Sequence, residues 1–435
     1  MSTDPQPTST PVRLTVRGAI FLGVGAMVGA GIFSLLGQAG VVAGSAVWVS
    51  FLIAGAMSAA LGYTMVKLGV HYPTSGGLVT YLEHGFRSGR VIGVASWLGY
   101  LTAIVVVGAM VAVSFGDYAA TLVVGTDAAQ GWTKLFASLL VLVAAWLTIA
   151  GPRVLDRAQS VIVVLLLAVF VVFIVGTVTN LNRDLLAPSG YPDLRHIVAS
   201  VALTFFAFLG FAVISFAAGD LEHPRTQLPR AMYSALAITT LLYVAVSLGV
   251  FGTLPVDDVI RYGPTAIAEA ARPTLGDAGF AMMAVAALLA TSSSVTATLY
   301  ASEGLTTAMA DSGTFPAVFG RQSRLGSHGG LIITAALTLV AVIALSLGAL
   351  ASVGSAVSLA VFVLVALAAF RLRREIGASP ALVIAAIAIA AVVLVGFAID
   401  LLLNDRTTFW FMVVLVAAGV LVNELRMRTR RAPTP

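Results

Sequence analysis

Long apolar blocks follow one another along this chain, with short polar segments between them. An α-helix needs about 20 apolar residues to cross the hydrocarbon core of a bilayer, and the blocks match that length. The pattern predicts an all-α polytopic membrane protein rather than a soluble protein with amphipathic helices. Twelve transmembrane helices are predicted, at residues 18–39, 41–70, 91–115, 134–151, 158–180, 197–219, 231–253, 277–309, 329–349, 351–370, 380–401 and 408–424.

The polar segments at the two ends set the predicted domain limits. Residues 1–12 form a polar tail, residues 13–424 a single transmembrane domain, and residues 425–435 a basic tail. The first apolar block is too long and too rich in glycine for a cleaved signal peptide, so we expect the N-terminus to be retained.

Composition supports the same class. Hydrophobic residues make up 59% of the 435 positions and charged residues only 10%, a balance that places the chain in lipid. The chain has no cysteine, which excludes disulfides, thiolate metal sites and thiol nucleophiles. The net charge of +5 would fit either a nucleic-acid partner or basic loops beside a membrane.

The positions of the basic residues decide between these two explanations. If the N-terminus is cytoplasmic, 18 of the 24 basic residues fall in cytoplasmic segments and six fall outside. This asymmetry follows the positive-inside rule. We therefore expect a multi-pass protein of a bacterial plasma membrane, with both termini cytoplasmic and no nucleic-acid partner. The run Arg426 to Arg431 is either a plain flank of the last span or a contact to anionic lipid.

The first span contains Gly25, Gly29 and Gly31 within seven residues. Each glycine in a helix costs roughly 1 kcal/mol relative to alanine. One interpretation is an unwound segment whose backbone groups face a binding cavity, which lipid itself would not tolerate. The other is a packing face of small residues, since Gly25 and Gly29 fit the GxxxG pattern.

The sixth span has a related feature, with Phe205, Phe206 and Phe208 just before Gly210. Aromatic residues on a membrane helix serve packing more often than ligand contact. The first and sixth spans, however, occupy corresponding positions in two halves of five spans. Interrupted helices at corresponding positions are typical of transporters built from inverted repeats.

At this point the chain resembles the permeases of the amino acid/polyamine/organocation (APC) superfamily over nearly its whole length. The resemblance is carried by residues 23–33 of span one, 72–81 after span two, 206–211 with the tail 220–229 of span six, and 308–316 after span eight. It implies a 5+5 inverted-repeat (LeuT-like) core, with repeats at about 18–180 and 197–370, plus two C-terminal helices within 380–424. It also implies transport by alternating access.

The resemblance further implies a substrate site between spans one and six. Backbone amides would bind a substrate carboxylate, backbone carbonyls would accept from its ammonium group, and Phe206 or Phe208 would act as an aromatic gate. Unpaired amides at a helix N-terminus do favour an anion. The implied amides belong to Gly29, Ala30, Gly31 and Ile32, the carbonyls to Met27, Phe205, Phe206, Ala207 and Phe208, and Gly210 completes the site.

The substrate prediction rests on missing charges. Many members of the superfamily carry an acidic residue where this chain has Ala212, and the ionisable Lys67, Asp117 and Glu303 fall near span ends. A pocket without a fixed charge suits a neutral, zwitterionic amino acid. The alternatives are a transporter or exchanger of amines or organic cations, and a solute sensor of the same fold.

The hydroxyl run from Thr291 to Ser294 in span eight bears on ion coupling. In sodium-coupled relatives of this fold, span-eight hydroxyls and span-one carbonyls hold a sodium ion; here they would be Ser293, Ser294, Gly25 and Val28. Hard oxygen ligands suit such an ion. Alternatively, the hydroxyls bond back to carbonyls of their own helix. Coupling to Na⁺, to H⁺ or to exchange stays open, and no other cofactor is expected.

An enzyme would need a catalytic or metal cluster. The five histidines fall in loops or at span ends, and the chain has no HExxH, GxSxG or P-loop motif. We therefore predict a transporter and not an enzyme, with a small-molecule substrate and the lipid bilayer as its partners.

Overall fold

A computed structural model of the chain describes residues 14–73, 77–86, 88–125, 129–150, 155–311, 313–322 and 329–431. The predicted tail 1–12 lies outside these residues, as do parts of the motifs at 72–81 and 308–316. Seventeen α-helices are described: α1 (Val16–Ala30), α2 (Ile32–Ala43), α3 (Val47–His71), α4 (Gly77–Gly85), α5 (Gly89–Tyr100), α6 (Val107–Val123), α7 (Gln130–Ala150), α8 (Leu155–Thr179), α9 (Leu194–Phe206), α10 (Phe211–Phe216), α11 (Pro224–Phe251), α12 (Val256–Tyr262), α13 (Ala266–Asp311), α14 (Gly329–Ala344), α15 (Leu347–Arg371), α16 (Pro380–Asn404) and α17 (Arg406–Arg431).

The regular structure of the described residues is all helical, with turns and short irregular segments between the helices and one isolated backbone bridge between Leu14 and Leu221. Eight continuous helical segments of the described residues are long and apolar enough to cross a membrane, when α2 is counted with α3, α5 with α6, and α12 with α13; the number is nine if α9 and α10 form one bent span. Three shorter apolar helices lie at Val16–Gly29, Gly329–Ala344 and Arg406–Leu421. The all-helical membrane fold is confirmed, while the number twelve stays a prediction.

The predicted boundary between the first two spans is wrong. The prediction placed it at residue 40, but α2 continues to Ala43 and α3 begins at Val47. The chain turns at Gly44, whose φ of 53° is in the left-handed region that favours glycine. No polar residue marks this turn except Ser45, so hydropathy alone could not locate it.

Among the other helix boundaries, one agrees with the prediction and one lies several residues beyond the predicted end. Gly276, with φ of 64° and ψ of −164°, separates the first ten residues of α13 from the rest, so the long helix begins at 277 as predicted. The last helix runs on to Arg431 instead of ending at 424. A π-helical segment, Leu101–Val106, joins α5 to α6 and was not predicted.

One face of α3 carries a row of glycines that packs against α11. Gly55, Gly62 and Gly69 recur every seven residues, and a Cβ built on them would meet Thr240, Leu236 and Leu228 respectively. Small residues at such spacing let two helix backbones approach closely, which is how helices associate in lipid. The row therefore fixes how α3 and α11 sit together.

Helix contacts pair the first half of the chain with the second. Helix α1 packs on α10, and α2 packs on α9. Helix α3 packs on α11, α6 on α13, and α7 on α14. Each of the first four predicted spans thus contacts the span that lies five further along the chain.

The α3–α11 packing can be tested with a glycine substitution. Gly55→Leu places a side chain where Thr240 already lies, and we expect it to lower the free energy of unfolding by about 1–3 kcal/mol. Thermal unfolding of the purified protein in detergent measures this. The matched control is Gly304→Leu, since Gly304 is exposed on α13 with open space around it. Equal melting temperatures for the two variants would contradict the packing.

Candidate functional site

The interruption in the first span is shorter than the sequence suggested. Helix α1 ends at Ala30, Gly31 alone is non-helical, and α2 begins at Ile32. Gly31 has φ of −93° and ψ of −71°, and its amide still donates to the carbonyl of Met27 at 2.9 Å. The predicted unwound segment is therefore a single residue in this conformation, and the amide of Gly31 is already in use.

The interruption in the sixth span is larger. Residues 207–210 form a turn between α9 and α10, whose axes are bent by 46°. Across the turn the hydrogen bonds run to the third residue back, as in Phe208 N to Phe205 O at 2.9 Å. The predicted break around Gly210 is present in the structure.

The two interruptions lie against each other. A Cβ built on Gly31 would lie 2.7 Å from the carbonyl oxygen of Ala207 and 2.6 Å from the hydroxyl oxygen of Tyr243. A Cβ built on Gly210 would lie 2.5 Å from the backbone carbonyl carbon of Ala26 and from the backbone nitrogen of Met27. Both glycines are thus required by close approach of two backbones, since any side chain would push the helices apart.

Tyr243 of α11 completes this contact, and the sequence analysis gave it no role. Its hydroxyl, fully buried, donates to the carbonyl of Ala207 at 3.2 Å. That carbonyl belongs to the turn in the sixth span, where the regular helical ladder is broken. A lone tyrosine in the middle of an apolar span was the available signal, because a buried hydroxyl must find a partner.

The predicted aromatic residues are all buried in helix contacts. Phe208 lies between Phe51 and Tyr243, at ring-centroid distances of 6.5 and 5.1 Å. The ring of Phe206 fits against Gly354 of α15, where a Cβ would collide with it. Of the two proposed gate residues, Phe208 therefore faces α3 and α11, and Phe206 faces α15.

The hydroxyl run on α13 divides into two pairs. Thr291 and Ser292 bond back to the carbonyls of Ala287 and Leu289, as the alternative interpretation predicts. Among the described residues, no hydrogen bond engages the hydroxyls of Ser293 and Ser294. Ser294 packs against the first span, since a Cβ on Gly29 would lie 3.5 Å from its Cβ.

The other two residues of the predicted sodium site are Gly25 and Val28 of span one. Val28 is 1% exposed, and Gly25 faces Val163 of α8. Gly25 also lies inside α1, where its carbonyl takes part in the helical ladder. Within the described part of the chain, no group of three or more His, Cys, Asp or Glu side chains is placed to hold a metal ion.

A cavity of about 570 Å³ lies on the side of α2 beyond the interruption. We name it the Asp117 cavity. Asp117 accepts a hydrogen bond from Thr133 at 2.8 Å, and Lys134 donates to the carbonyl of Ile343 at 2.7 Å. Its lining residues are Gln38, Val113, Asp117, Gln130, Thr133, Lys134, Pro264, Val342, Ala344, Leu345, Ser346, Leu347 and Gly348.

The opposite end of the bundle holds an aromatic and acidic cluster. Tyr72 donates to Glu375 at 2.6 Å and stacks on the ring of His84 at a centroid distance of 4.0 Å. The imidazole of His71 lies 3.6 Å from the same carboxylate. Partial burial and then the hydrogen bond to Glu375 raise the pKa of Tyr72 to about 12, so its hydroxyl stays a donor. The cluster ties the end of α3 and α4 to the loop between α15 and α16.

The role of Tyr243 can be tested by removing its hydroxyl. Tyr243→Phe leaves the Ala207 carbonyl without its donor, and we expect the free energy of unfolding to fall by about 1–3 kcal/mol. Chemical or thermal unfolding in detergent measures the change. Tyr233→Phe on the same helix is the control, because Tyr233 is 39% exposed. If both variants unfold alike, the hydroxyl does not stabilise the break.

Comparison with known proteins places this geometry in a family. A family model described as amino acid permease matches residues 14–423. An inner membrane transport protein of Escherichia coli is 32% identical over 397 residues, covering 91% of this chain and 92% of that protein. A methylthioribose transporter of Bacillus subtilis is 27% identical, covering 74% and 72%. A branched-chain amino acid permease of the same species is 29% identical, covering 54% and 53%.

The family match spans nearly the whole described bundle, including both interrupted helices and the α3–α11 pair that holds them. The sequence resemblance stated above is therefore confirmed, as is the prediction that the chain is not an enzyme. The chain belongs to the amino acid permease family and is a multi-pass transporter of the plasma membrane.

Proposed function

We propose that the chain carries small neutral amino acids across the plasma membrane by alternating access, with the substrate held where the two interrupted spans meet. The observation that carries this proposal is the contact of Gly31 with Ala207. Two helix breaks that touch at mid-bundle bring backbone groups together away from lipid. Such irregular backbone is tolerated at membrane depth only where protein or a cavity surrounds it.

The inverted-repeat architecture is part of the proposal. Helix α1 packs on α10 while α2 packs on α9, so the first half of span one lies beside the second half of span six. This antiparallel arrangement is what two repeats of opposite topology produce. Contacts between spans two and seven, three and eight, and four and nine follow the same rule. They support twelve spans, built as 5+5 plus two.

Neutral substrates are favoured by what surrounds the contact. Residues 25–32 and 205–212 include no acidic or basic side chain. A substrate cation would therefore lack a fixed counter-charge there, which is costly in a low-dielectric site. A zwitterion can instead use amides for its carboxylate and carbonyls for its ammonium group. By resemblance the amides are those of Gly29 to Ile32, and the carbonyls those of Met27 and Phe205 to Phe208. In this conformation the Gly31 amide donates to Met27 and the Ala207 carbonyl accepts from Tyr243, so substrate binding has to replace or share these bonds.

The relatives are consistent with this proposal and also mark its rival. One is named for branched-chain amino acids, which are zwitterions with apolar side chains. Another is named for methylthioribose, so a solute that is not an amino acid is the second candidate. Both would enter the same contact between the interrupted spans.

The direction of the bundle in the membrane follows from its charges. The end that holds Arg90, Arg371 and Arg373 lies opposite the Asp117 cavity along the helix that runs from Gly89 to Val123. By the positive-inside rule we assign this basic end to the cytoplasm, with both termini there. The Asp117 cavity then faces outside.

Uptake by proteoliposomes tests the transport proposal. We expect the purified protein to accumulate radiolabelled L-leucine, L-alanine or L-serine, with imposed Na⁺ and H⁺ gradients applied separately to identify the coupling ion. Loss of the sodium dependence in Ser294→Ala would support the Ser293–Ser294 site. Protein-free liposomes are the control. No uptake of any of the three, even into liposomes preloaded for exchange, would contradict a neutral amino-acid substrate.

The contact between the two interrupted spans can be tested by adding the smallest side chain, a methyl group, at Gly31. Gly31→Ala adds a methyl group where Ala207 and Tyr243 already lie, and we expect at least a tenfold loss of uptake per molecule. Gly304→Ala is the control, because Gly304 has open space around it. Surface labelling or blotting confirms that both variants reach the membrane. Normal uptake by a correctly inserted Gly31→Ala protein would overturn the assignment.

A further inference from the structure

The Asp117 cavity contains one acidic and one basic side chain that do not pair with each other. No ion pair joins Asp117 to Lys134 among those formed by the described residues. Val113 and Asp117 lie one turn apart on α6, and Gln130, Thr133 and Lys134 share one face of α7. The cavity is therefore lined by two helix faces that present opposite charges to a shared space.

These groups keep unused hydrogen-bonding capacity. Thr133 donates to Oδ1 of Asp117, and within the described part of the chain no donor reaches Oδ2. Lys134 uses one of its three N–H donors in the hydrogen bond to the carbonyl of Ile343, which leaves two donors for another partner. The side-chain amides of Gln38 and Gln130 also line the cavity without a described hydrogen-bond partner. Ser346, by contrast, is occupied as the N-cap of α15.

The remaining lining is apolar and includes Val113, Val342 and Leu347. A cavity of about 570 Å³ falls within the range of small-ligand sites, which combine apolar walls with a few polar groups. The fixed charges sum to zero. A ligand that carries one positive and one negative group would satisfy both without leaving either unpaired, whereas a simple cation or anion would satisfy one.

The cavity is separate from the contact between the interrupted spans. Gln38 lies seven residues beyond Gly31 on α2, a distance of about 10 Å along a helix. The α2 residues between them, Ile32 to Gly37, are all buried. In this conformation protein therefore fills the space between the cavity and the Gly31–Ala207 contact.

We propose that the Asp117 cavity is a second binding site, which takes a small zwitterion from the outer side before it enters the transport site. Asp117 binds the ammonium group, and Lys134 with Gln130 binds the carboxylate. In the proposed alternating access, span one, which carries Gln38, rocks against spans three and four, which carry Asp117 and Lys134. Occupation of the cavity thus bridges the two parts of the bundle. The role as an entry site rests on the proposed transport function.

Uptake kinetics test this site with two charge-removing variants. Asp117→Asn and Lys134→Met are each expected to raise the KM for external L-leucine about tenfold, with the maximal rate per molecule within twofold of the wild type. Asp184→Asn is the control, since Asp184 is an exposed carboxylate in a short helical turn that does not line the cavity. A loss of maximal rate with unchanged KM would show a structural role only and overturn the proposal.

Two analogues of L-leucine, each lacking one of its charged groups, test the roles of Asp117 and Lys134 separately. 3-Methylbutylamine is L-leucine without its carboxylate, and 4-methylpentanoate is L-leucine without its ammonium group. We expect the amine to inhibit uptake in Lys134→Met but not in Asp117→Asn, and the acid to show the reverse. Inhibition by the amine alone, with Lys134→Met kinetically normal, would mean a cation site and would overturn the zwitterion assignment.

A binding measurement distinguishes failure of this site from failure of the transport proposal. Radiolabelled L-leucine is bound at equilibrium to the purified full chain and to Asp117→Asn. If the wild type transports none of the three amino acids but binds L-leucine saturably, and Asp117→Asn does not, the cavity stands while the transport proposal fails. If Asp117→Asn unfolds, Lys134→Met decides, because that side chain lies at the surface end of α7. Equal binding by the wild type and the folded variants would overturn the cavity site.

Discussion

A broken helix inside a membrane bundle must find hydrogen-bond partners for its freed backbone groups, and the rest of this structure is arranged around one such partner. The carbonyl of Ala207 lies in the turn of the sixth span and accepts from Tyr243. Lipid could not replace that donor. Tyr243 is placed by α11, which is held in turn by the glycine row of α3. The position of the break therefore depends on how closely α3 and α11 approach each other.

The same constraint explains why the contact between the interrupted spans, the proposed transport site, is built from backbone against backbone. Gly31 and Gly210 bring backbone against backbone, and neither has a positive φ that would require glycine by itself. The requirement is one of space. Recognition at such a contact has to rely on amides and carbonyls, which suits the two charged ends of an amino acid and leaves its side chain to the aromatic surroundings. Fixed charges lie farther out, in the Asp117 cavity, the proposed site at which a solute is oriented before it is desolvated.

Sequence patterns predicted the helical membrane fold, the break near Gly210 and the start of the long helix at 277, because each depends on local composition. They failed where three-dimensional contacts decide. The turn at Gly44 lies within apolar sequence, and the break at Gly31 is one residue because the amide of Gly31 still reaches Met27. Tyr243 and the pairing of Asp117 with Thr133 join residues from different helices, which no single-segment pattern shows. The aromatic and acidic cluster around Tyr72 depends on Glu375, which is more than 300 residues away in the chain.

In the proposed alternating access, some of these contacts have to persist while others have to slide. Helix α11 contacts α1, α3 and α10, and α9 contacts α2 and α3, so these helices form one connected group that contains the bond from Tyr243 to Ala207. In the proposed mechanism this group moves as one body. At two of its borders with the rest of the bundle, a glycine lies in the contact. Gly29 meets Ser294 of α13, and Phe206 meets Gly354 of α15. At Gly354 the ring of Phe206 fills the space that a Cβ would take, so this border is interlocked, whereas a Cβ on Gly29 would make only ordinary contacts with Ala290 and Ser294. Gly354 thus serves close packing, as Gly31 and Gly210 do, and the contact of Phe206 with Gly354 has to open before the proposed moving body can slide, while the border at Gly29 is looser.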